Sequence, residues 1–130
     1  MKIDFNYSSI NISIDLLDKI CVFYDMSGTG KTFLFTILKS YFQVTKTSYI
    51  SIDYSNYEVL NNYDFSGDTK VIILDNADLY MTGDMFSKLE KSNKLVIMSI
   101  KSIKGLNQRY MGFYNVIYTK DKMRVMRFGI

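Results

Sequence analysis

The sequence predicts an α/β fold in three layers (α/β/α), with a mostly parallel sheet between two layers of helices and a β-hairpin at the C-terminus. Apolar strand-like runs alternate with helix-like runs along much of the chain, a pattern typical of parallel strands joined by helical crossovers. The stretch from residue 20 to residue 42 also reads as a strand, a glycine-rich loop and a helix in direct succession. Ligands of such sheets bind beyond the carboxyl ends of the strands, so we expect the functional residues there.

Apolar periodicity defines the elements of the first half of the chain. Alternation of apolar and polar residues predicts half-buried strands, and a short continuous apolar run predicts a fully buried one. A segment that is apolar on most faces predicts a helix packed on the sheet. In chain order we expect a strand or hairpin over 3–14, a strand over 20–24, a helix over 32–42 and a strand over 49–53.

The second half begins with a stretch rich in Asn, Tyr, Ser and Asp, which predicts a short helix and a loop over 54–68. Apolar runs then predict buried strands, and the basic segment that follows them predicts a short helix. In chain order we expect a strand over 70–75, a helix over 79–91, a strand over 95–100, the basic helix over 101–111, and a hairpin of strands 113–118 and 123–128.

Composition restricts the kind of protein that this chain can be. It has 130 residues, 48% of them apolar, so we expect one domain over residues 1–130 with a substantial core. There is no histidine and only one cysteine, which argues against zinc sites, disulfides and histidine catalysis. A net charge of +3 is too small to indicate nucleic-acid binding by itself. Without a signal peptide or a membrane-length apolar run, we expect a cytoplasmic protein with no membrane partner.

Residues 25–32 read Asp-Met-Ser-Gly-Thr-Gly-Lys-Thr and carry the clearest chemical signal. Gly28 and Gly30 have no Cβ, so the backbone can adopt positive φ angles there and approach a phosphate closely. Successive N–H groups from Gly28 to Lys31 would form an anion nest at the positive end of the helix. Lys31 would reach the β- and γ-phosphates, and the Thr32 hydroxyl would ligate Mg²⁺. The alternative is a chance glycine-rich turn before a helix.

This segment resembles the Walker A loop of P-loop NTPases, in particular the AAA-type branch and its helicase-loader relatives. The usual pattern is G-x-x-x-x-G-K-[ST], and Asp25 stands at its first glycine position. The strand that ends at Asp75 resembles the Walker B strand, whose acid contacts Mg²⁺. Ser99, at the end of the next strand, matches the position of a residue that senses the γ-phosphate. The alternative for Asp75 is a surface aspartate that simply ends a strand. The alternative for Ser99 is a hydroxyl hydrogen-bonded to local backbone.

The resemblance implies a set of site residues. The residues expected to bind the nucleotide are Ser27, Gly28, Thr29, Gly30, Lys31, Thr32 and Thr36. The residues expected to act in catalysis are Lys31, Asp75 and Asn76. Thr32 and Asp75 are expected to bind Mg²⁺, and Ser99 is expected to sense the γ-phosphate. Many relatives carry a glutamate after the Walker B aspartate, where this chain has Asn76. An amide orients water but does not accept a proton as a general base. Asp78 is the nearest replacement, and the N-cap of the next helix is its alternative role.

The expected function is therefore binding of ATP with Mg²⁺, with slow hydrolysis at most, in the service of nucleic-acid machinery or a larger assembly. A non-catalytic module whose partner surface is gated by nucleotide is the first alternative. A P-loop kinase for a small molecule is the second and is less favoured, since residues 79–112 contain one arginine. Nucleotide is the expected partner, and a protein partner, self-assembly and nucleic acid are left open.

We predict that Asp25→Gly tightens nucleotide binding by no more than about tenfold, because we expect the Asp25 carboxylate to point away from the phosphates. A carboxylate about 6 Å from a phosphate would be repelled by roughly 3 kcal/mol at an effective dielectric constant near 20. That energy corresponds to roughly a hundredfold in affinity. Calorimetric titration of both proteins with Mg-ATP measures the difference. A gain far above tenfold would place the carboxylate beside the phosphates.

Overall fold

One mixed sheet of eight strands organises the chain, and it curls into half a barrel. The computed structural model describes residues 1–26, 29–103, 109 and 111–128. The strands are β1 (Lys2–Tyr7), β2 (Ile10–Asp15), β3 (Ile20–Tyr24), β4 (Tyr49–Ile52), β5 (Val71–Leu74), β6 (Leu95–Ile100), β7 (Met111–Tyr118) and β8 (Lys122–Phe128). The helices of these residues are α1 (Thr29–Val44), α2 (Gly83–Lys91) and two short 3₁₀ helices, Tyr57–Asn62 and Ala77–Leu79.

The strand order is β1-β2-β8-β7-β3-β6-β5-β4. Neighbours from β7 to β4 run parallel, and β2 also runs parallel to β8. The pairs β1–β2 and β7–β8 are antiparallel, and the second pair is the hairpin expected at the C-terminus. Leu74 of β5 lies opposite Met98 of β6, which brings the residues that follow them, Asp75 and Ser99, side by side.

Two apolar clusters lie on opposite faces of the sheet. Helix α1 packs on one face through residues spaced three and four apart, among them Leu34, Ile37 and Leu38, each fully buried. Helix α2 packs on the other face through Met85, Phe86 and Leu89. Both faces are therefore covered only over the central parallel strands.

The outer strands β1, β2 and β8 bury one face and expose the other. Ile3, Ile12, Ile14, Met123 and Val125 point into the α1 cluster and are at most 2% exposed. The residues between them along each strand are polar or charged for the most part and are exposed or half-buried. This period-two pattern is what an antiparallel ribbon with one solvated face requires.

The predicted three-layer α/β/α architecture with a mostly parallel sheet is wrong. The sheet is mixed and curled, and strands outnumber helices among the described residues. The physical reason lies in the strand pairs at the two ends of the sequence, β1–β2 and β7–β8. Apolar and polar residues alternate along most of these strands, so one face of each pair is exposed to solvent. These strand pairs join the same sheet, so about half of its width has no helix on its second face.

The assignment to the P-loop NTPases, with the AAA-type proteins and helicase loaders as nearest branch, is also wrong. That family has a helix-rich core, whereas this chain is a small curled sheet with few helices. Short motifs at strand ends are compatible with many folds, so the loop sequence was too little to fix the architecture.

Several predicted boundaries differ from the structure. Helix α1 begins at Thr29 rather than Thr32, so the end of the glycine-rich loop is its first turn. Helix α2 begins at Gly83 rather than Leu79, because the Thr82 side chain caps it by accepting the N–H of Met85 at 3.1 Å. The helix predicted over 101–111 lies largely outside the described residues.

Within the part of the chain that the structure describes, no helix combines the length and the apolar character needed to cross a membrane.

Gly112 fastens the hairpin to the loop before β3. A Cβ at Gly112 would lie only 1.8 Å from Asp18 Oδ2. That carboxylate oxygen accepts the hydroxyl of Tyr114 at 2.6 Å and pairs with Arg127 Nε at 2.9 Å. The carboxylate can reach both donors only because glycine leaves the space above the strand open.

We predict that Gly112→Ala lowers the free energy of unfolding by about 1–3 kcal/mol, since the new methyl group must push Asp18 away from its donors. Urea denaturation measures the loss. Gly83→Ala is the matched control, because a Cβ there has no neighbour within 4 Å. Equal stabilities of the two variants would show that Asp18 is not packed on Gly112.

Candidate functional site

The Lys31 ammonium joins the first turns of α1 to the end of β5. Lys31 Nζ lies 3.0 Å from Asp75 Oδ1 and donates a hydrogen bond of 2.9 Å to Asn76 Oδ1. Its side chain is 12% exposed and that of Asp75 is 33% exposed. A half-buried ion pair of this kind fixes both groups more firmly than a surface pair would.

Ser99 ties the same cluster to β6. Its hydroxyl donates to Asp75 Oδ1 at 2.8 Å and accepts the backbone N–H of Asn76 at 2.9 Å. Ser99 is 1% exposed, and both partners belong to a segment more than 20 residues earlier in the chain. The alternative role for Ser99, a bond to its own local backbone, is therefore wrong.

The backbone turns sharply where β5 ends. Asn76 has φ 51° and ψ 49°, a left-handed conformation that asparagine tolerates better than most residues. The Tyr80 hydroxyl donates to the carbonyl oxygen of Asp75 at 2.9 Å and holds the turn from below. Burial, and then the charge of Asp75, raise the pKa of Tyr80 well above its usual value, so the phenol stays protonated.

A cavity of about 100 Å³ opens beside the ion pair. It is lined by Lys31, Thr32, Phe35, Thr36, Lys39, Ser51, Asp53 and Asp75. Thus Thr32 and Thr36, predicted from the sequence, face the same space as Lys31 and Asp75. The cavity therefore offers space for a small group such as a phosphate beside the ion pair.

Sequence reasoning missed Lys39, Ser51 and Asp53. The sequence does contain a sign of the two charged residues. Lys39 follows Lys31 at a spacing that places both on one side of helix α1. Asp53 directly follows β4, just as Asp75 directly follows β5. The Asp53 carboxyl has a pKa below its usual value, chiefly because the Ser55 hydroxyl and then the Ser55 amide donate to it, with a smaller effect of Lys39. It therefore stays anionic and is a poor proton acceptor.

The two ends of the loop before α1 have different backbone conformations. Asp25 has φ 58°, a left-handed conformation that aspartate tolerates better than most residues, and its N–H donates to the carbonyl oxygen of Ile100 at 2.8 Å. Ser27 and Gly28 lie outside the described residues, as does the Thr29 side chain. Gly30 is helical, so it does not adopt the positive φ that its missing Cβ allows.

The space around Gly30 would also accommodate a side chain, so steric crowding does not require glycine at this position. The nearest atoms to a Cβ at this position belong to Tyr118 and are 3.9 Å away, which is ordinary contact. The Tyr118 hydroxyl donates to the carbonyl oxygen of Gly30 at 3.1 Å and connects the C-terminal hairpin to the first turn of α1. That turn contains no acidic residue, so no carboxylate of its own opposes an anion at the positive end of the helix.

Asp78 does not cap α2, and it is not among the residues that line the cavity. Its carboxylate accepts the backbone N–H of Lys101 at 3.2 Å, and Thr82 rather than Asp78 caps α2. Asp78 therefore lies against the end of β6, away from the groups that line the cavity.

The site suits a metal ion that shares its coordination with a ligand. The described residues include no group of three or more His, Cys, Asp or Glu side chains able to hold a metal. Mg²⁺ commonly takes one or two protein oxygens and completes its octahedron with phosphate and water. The Asp75 carboxylate and the Thr32 hydroxyl, which line one cavity, fit that habit.

A larger hollow of about 530 Å³ lies elsewhere, on the open face of β1, β2 and β8. Its charged lining includes Lys2, Asp4, Asp15 and Arg124, and it shares no residue with the Lys31 cavity. Both cations and anions line this hollow, so it favours no single ligand charge. The charged groups around Lys31, by contrast, converge on one point.

No protein-family model and no curated protein matches the chain.

We predict that Ser99→Ala lowers the free energy of unfolding by about 1–3 kcal/mol, because the Asn76 N–H loses its acceptor in a buried position. Chemical denaturation monitored by circular dichroism gives the value. Ser66→Ala is the control, since Ser66 is exposed and bonds only to exposed Asp64, and it should change stability by less than about 0.5 kcal/mol. A loss at Ser99 no larger than at Ser66 would contradict the buried network.

Proposed function

We propose that this protein binds the Mg²⁺ complex of a nucleoside triphosphate, with ATP as the expected nucleotide, at the Lys31 cluster. The observation that carries the proposal is the convergence of the Lys31 ammonium with the oxygens of Asp75 and Asn76 beside the first turns of a helix. The ammonium and the helix end attract phosphate oxygens. Thr32 and Asp75 would hold the metal ion, which neutralises phosphate charge.

The charge arrangement favours a metal-bound polyphosphate over other small anions. The cavity brings two lysines, Lys31 and Lys39, together with two aspartates, Asp53 and Asp75. A bare anion would meet both carboxylates, and a bare cation would meet both ammonium groups. A ligand with phosphate oxygens and a divalent cation at adjacent positions matches both kinds of charge.

Efficient hydrolysis is not supported by the same geometry. The Asn76 side-chain oxygen accepts from Lys31, and an amide is no general base. Asp78 accepts from the Lys101 backbone instead of lining the cavity. Binding with slow turnover at most is therefore the activity that these residues favour.

A second candidate, a module whose partner surface responds to nucleotide, is favoured by the contact between Tyr118 and Gly30. The Tyr118 hydroxyl reaches the first turn of α1, where the phosphates would bind, and Tyr118 ends strand β7 of the C-terminal hairpin. Occupation of the loop would thereby change the environment of the hairpin. Amide hydrogen-exchange rates in the hairpin, measured with and without nucleotide, would test this second role.

We predict that saturating Mg-ATP raises the thermal stability of the protein and that Lys31→Ala removes the increase while the chain stays folded. A ligand at a hundred times its Kd adds about 2.7 kcal/mol, a readily measured shift of the melting temperature. Thermal unfolding with Mg-ATP, Mg-ADP and Mg-GTP provides the comparison, and circular dichroism checks the fold of the variant.

Lys70→Ala is the matched control, because Lys70 is an exposed lysine and is not among the residues that line the cavity. It should respond to nucleotide as the wild type does. The proposal fails if the wild type shows no stabilisation by any triphosphate, or if Lys31→Ala responds as strongly as the wild type. Release of phosphate measured alongside separates binding from turnover.

A further inference from the structure

A single oxygen of Asp75 has two partners. Asp75 Oδ1 lies 3.0 Å from Lys31 Nζ and 2.8 Å from Ser99 Oγ. The Lys31 ammonium, which would bind phosphate, is therefore paired with the Asp75 carboxylate, which would bind the metal. Each group occupies the position of the other group's ligand. We infer, on the basis of the proposed function, that the site takes Mg²⁺ and polyphosphate only together, as one chelate.

The metal cannot easily bind alone. A divalent cation at Asp75 would lie against the Lys31 ammonium, which pairs with the same carboxylate oxygen. The described residues offer no cluster of three acidic or other metal-binding side chains that would outweigh this repulsion. Mg²⁺ without phosphate must therefore displace the lysine and receives few protein ligands in return.

Polyphosphate without metal meets the opposite obstacle. It must draw Lys31 away from both Asp75 and Asn76, and it must approach the Asp53 and Asp75 carboxylates that line the same cavity. Asp53 stays ionised because Ser55 donates to it. The anion gains one lysine and leaves Asp75 uncompensated, which is costly for a half-buried charge.

The chelate removes both obstacles at once. A phosphate oxygen takes the place of Asp75 as partner of the Lys31 ammonium, and the metal ion takes the place of Lys31 as partner of Asp75. Each charge in the cluster exchanges one opposite charge for another. The ion pair thus couples the two ligands, and each raises the affinity of the protein for the other.

The test measures each ligand alone, with variants that remove one member of the ion pair. Free Mn²⁺, counted by electron paramagnetic resonance without any phosphate, should bind Lys31→Ala about tenfold more tightly than the wild type. This is more than an exposed ion pair would give, because the Lys31–Asp75 pair is largely shielded from solvent. Lys39→Ala is the matched control, because it removes a lysine from the same cavity that is not paired with Asp75. Lys31→Met serves as a second variant that keeps the apolar stem if alanine disturbs the helix.

The second arm uses inorganic tripolyphosphate in the presence of a chelator. Asp75→Asn frees Lys31 and should tighten metal-free tripolyphosphate binding about tenfold. Asp53→Asn removes an equal charge from the same cavity without freeing Lys31, so it should tighten binding by clearly less than Asp75→Asn does. Calorimetric titration gives both affinities.

The inference is overturned if Lys31→Ala and Lys39→Ala change Mn²⁺ affinity equally, or if Asp75→Asn and Asp53→Asn change tripolyphosphate affinity equally. Either result would mean that total charge, rather than the Lys31–Asp75 pair, controls binding. The proposed function fails separately, when the wild type binds no Mg-ATP and no Mg-tripolyphosphate. Tight binding of the chelates by the wild type, with no selective effect of Lys31 or Asp75 on single ligands, would keep the function and remove the coupling.

Discussion

The contact between Lys31 and Asp75 is the interaction on which the candidate site depends. It connects helix α1 to the end of β5, and Ser99 extends the connection to β6. Each group is half-buried or more, so removing one partner leaves the other without compensation. The site is in this sense a property of three elements held together, rather than of the glycine-rich loop alone.

The sheet provides the alignment that the ion pair needs. Parallel pairing of β5 with β6 sets Leu74 opposite Met98, and the next residue of each strand then carries a functional side chain. The outer ribbons add stability on a different side. There, Asp18 accepts from Tyr114 and Arg127 over Gly112, which holds the β2–β3 loop to the C-terminal hairpin.

Local pattern was enough to find most strands and the groups at their ends. The continuous apolar runs gave the bounds of β3 and β6 as the structure has them, and the contact of Asp75 with Ser99 is the one expected from parallel strands. The functional roles of these residues stay predictions. The architecture could not be read in the same way, because the insertion of β8 between β2 and β7 depends on partners about 110 residues apart. Lys39 and Asp53 were missed because each lies outside the short motif and becomes a neighbour only through packing.

The central claim is that a metal-bound triphosphate binds where Lys31 and Asp75 meet. Two-dimensional NMR of ¹⁵N-labelled protein titrated with Mg-ATP locates the ligand directly. The account predicts shifts concentrated at the start of α1, at Asp75 and Asn76 and at Ser99, with a changed environment for the Lys31 side chain. Unchanged spectra at saturating nucleotide, or shifts confined to the open face around Lys2, Asp15 and Arg124, would contradict it.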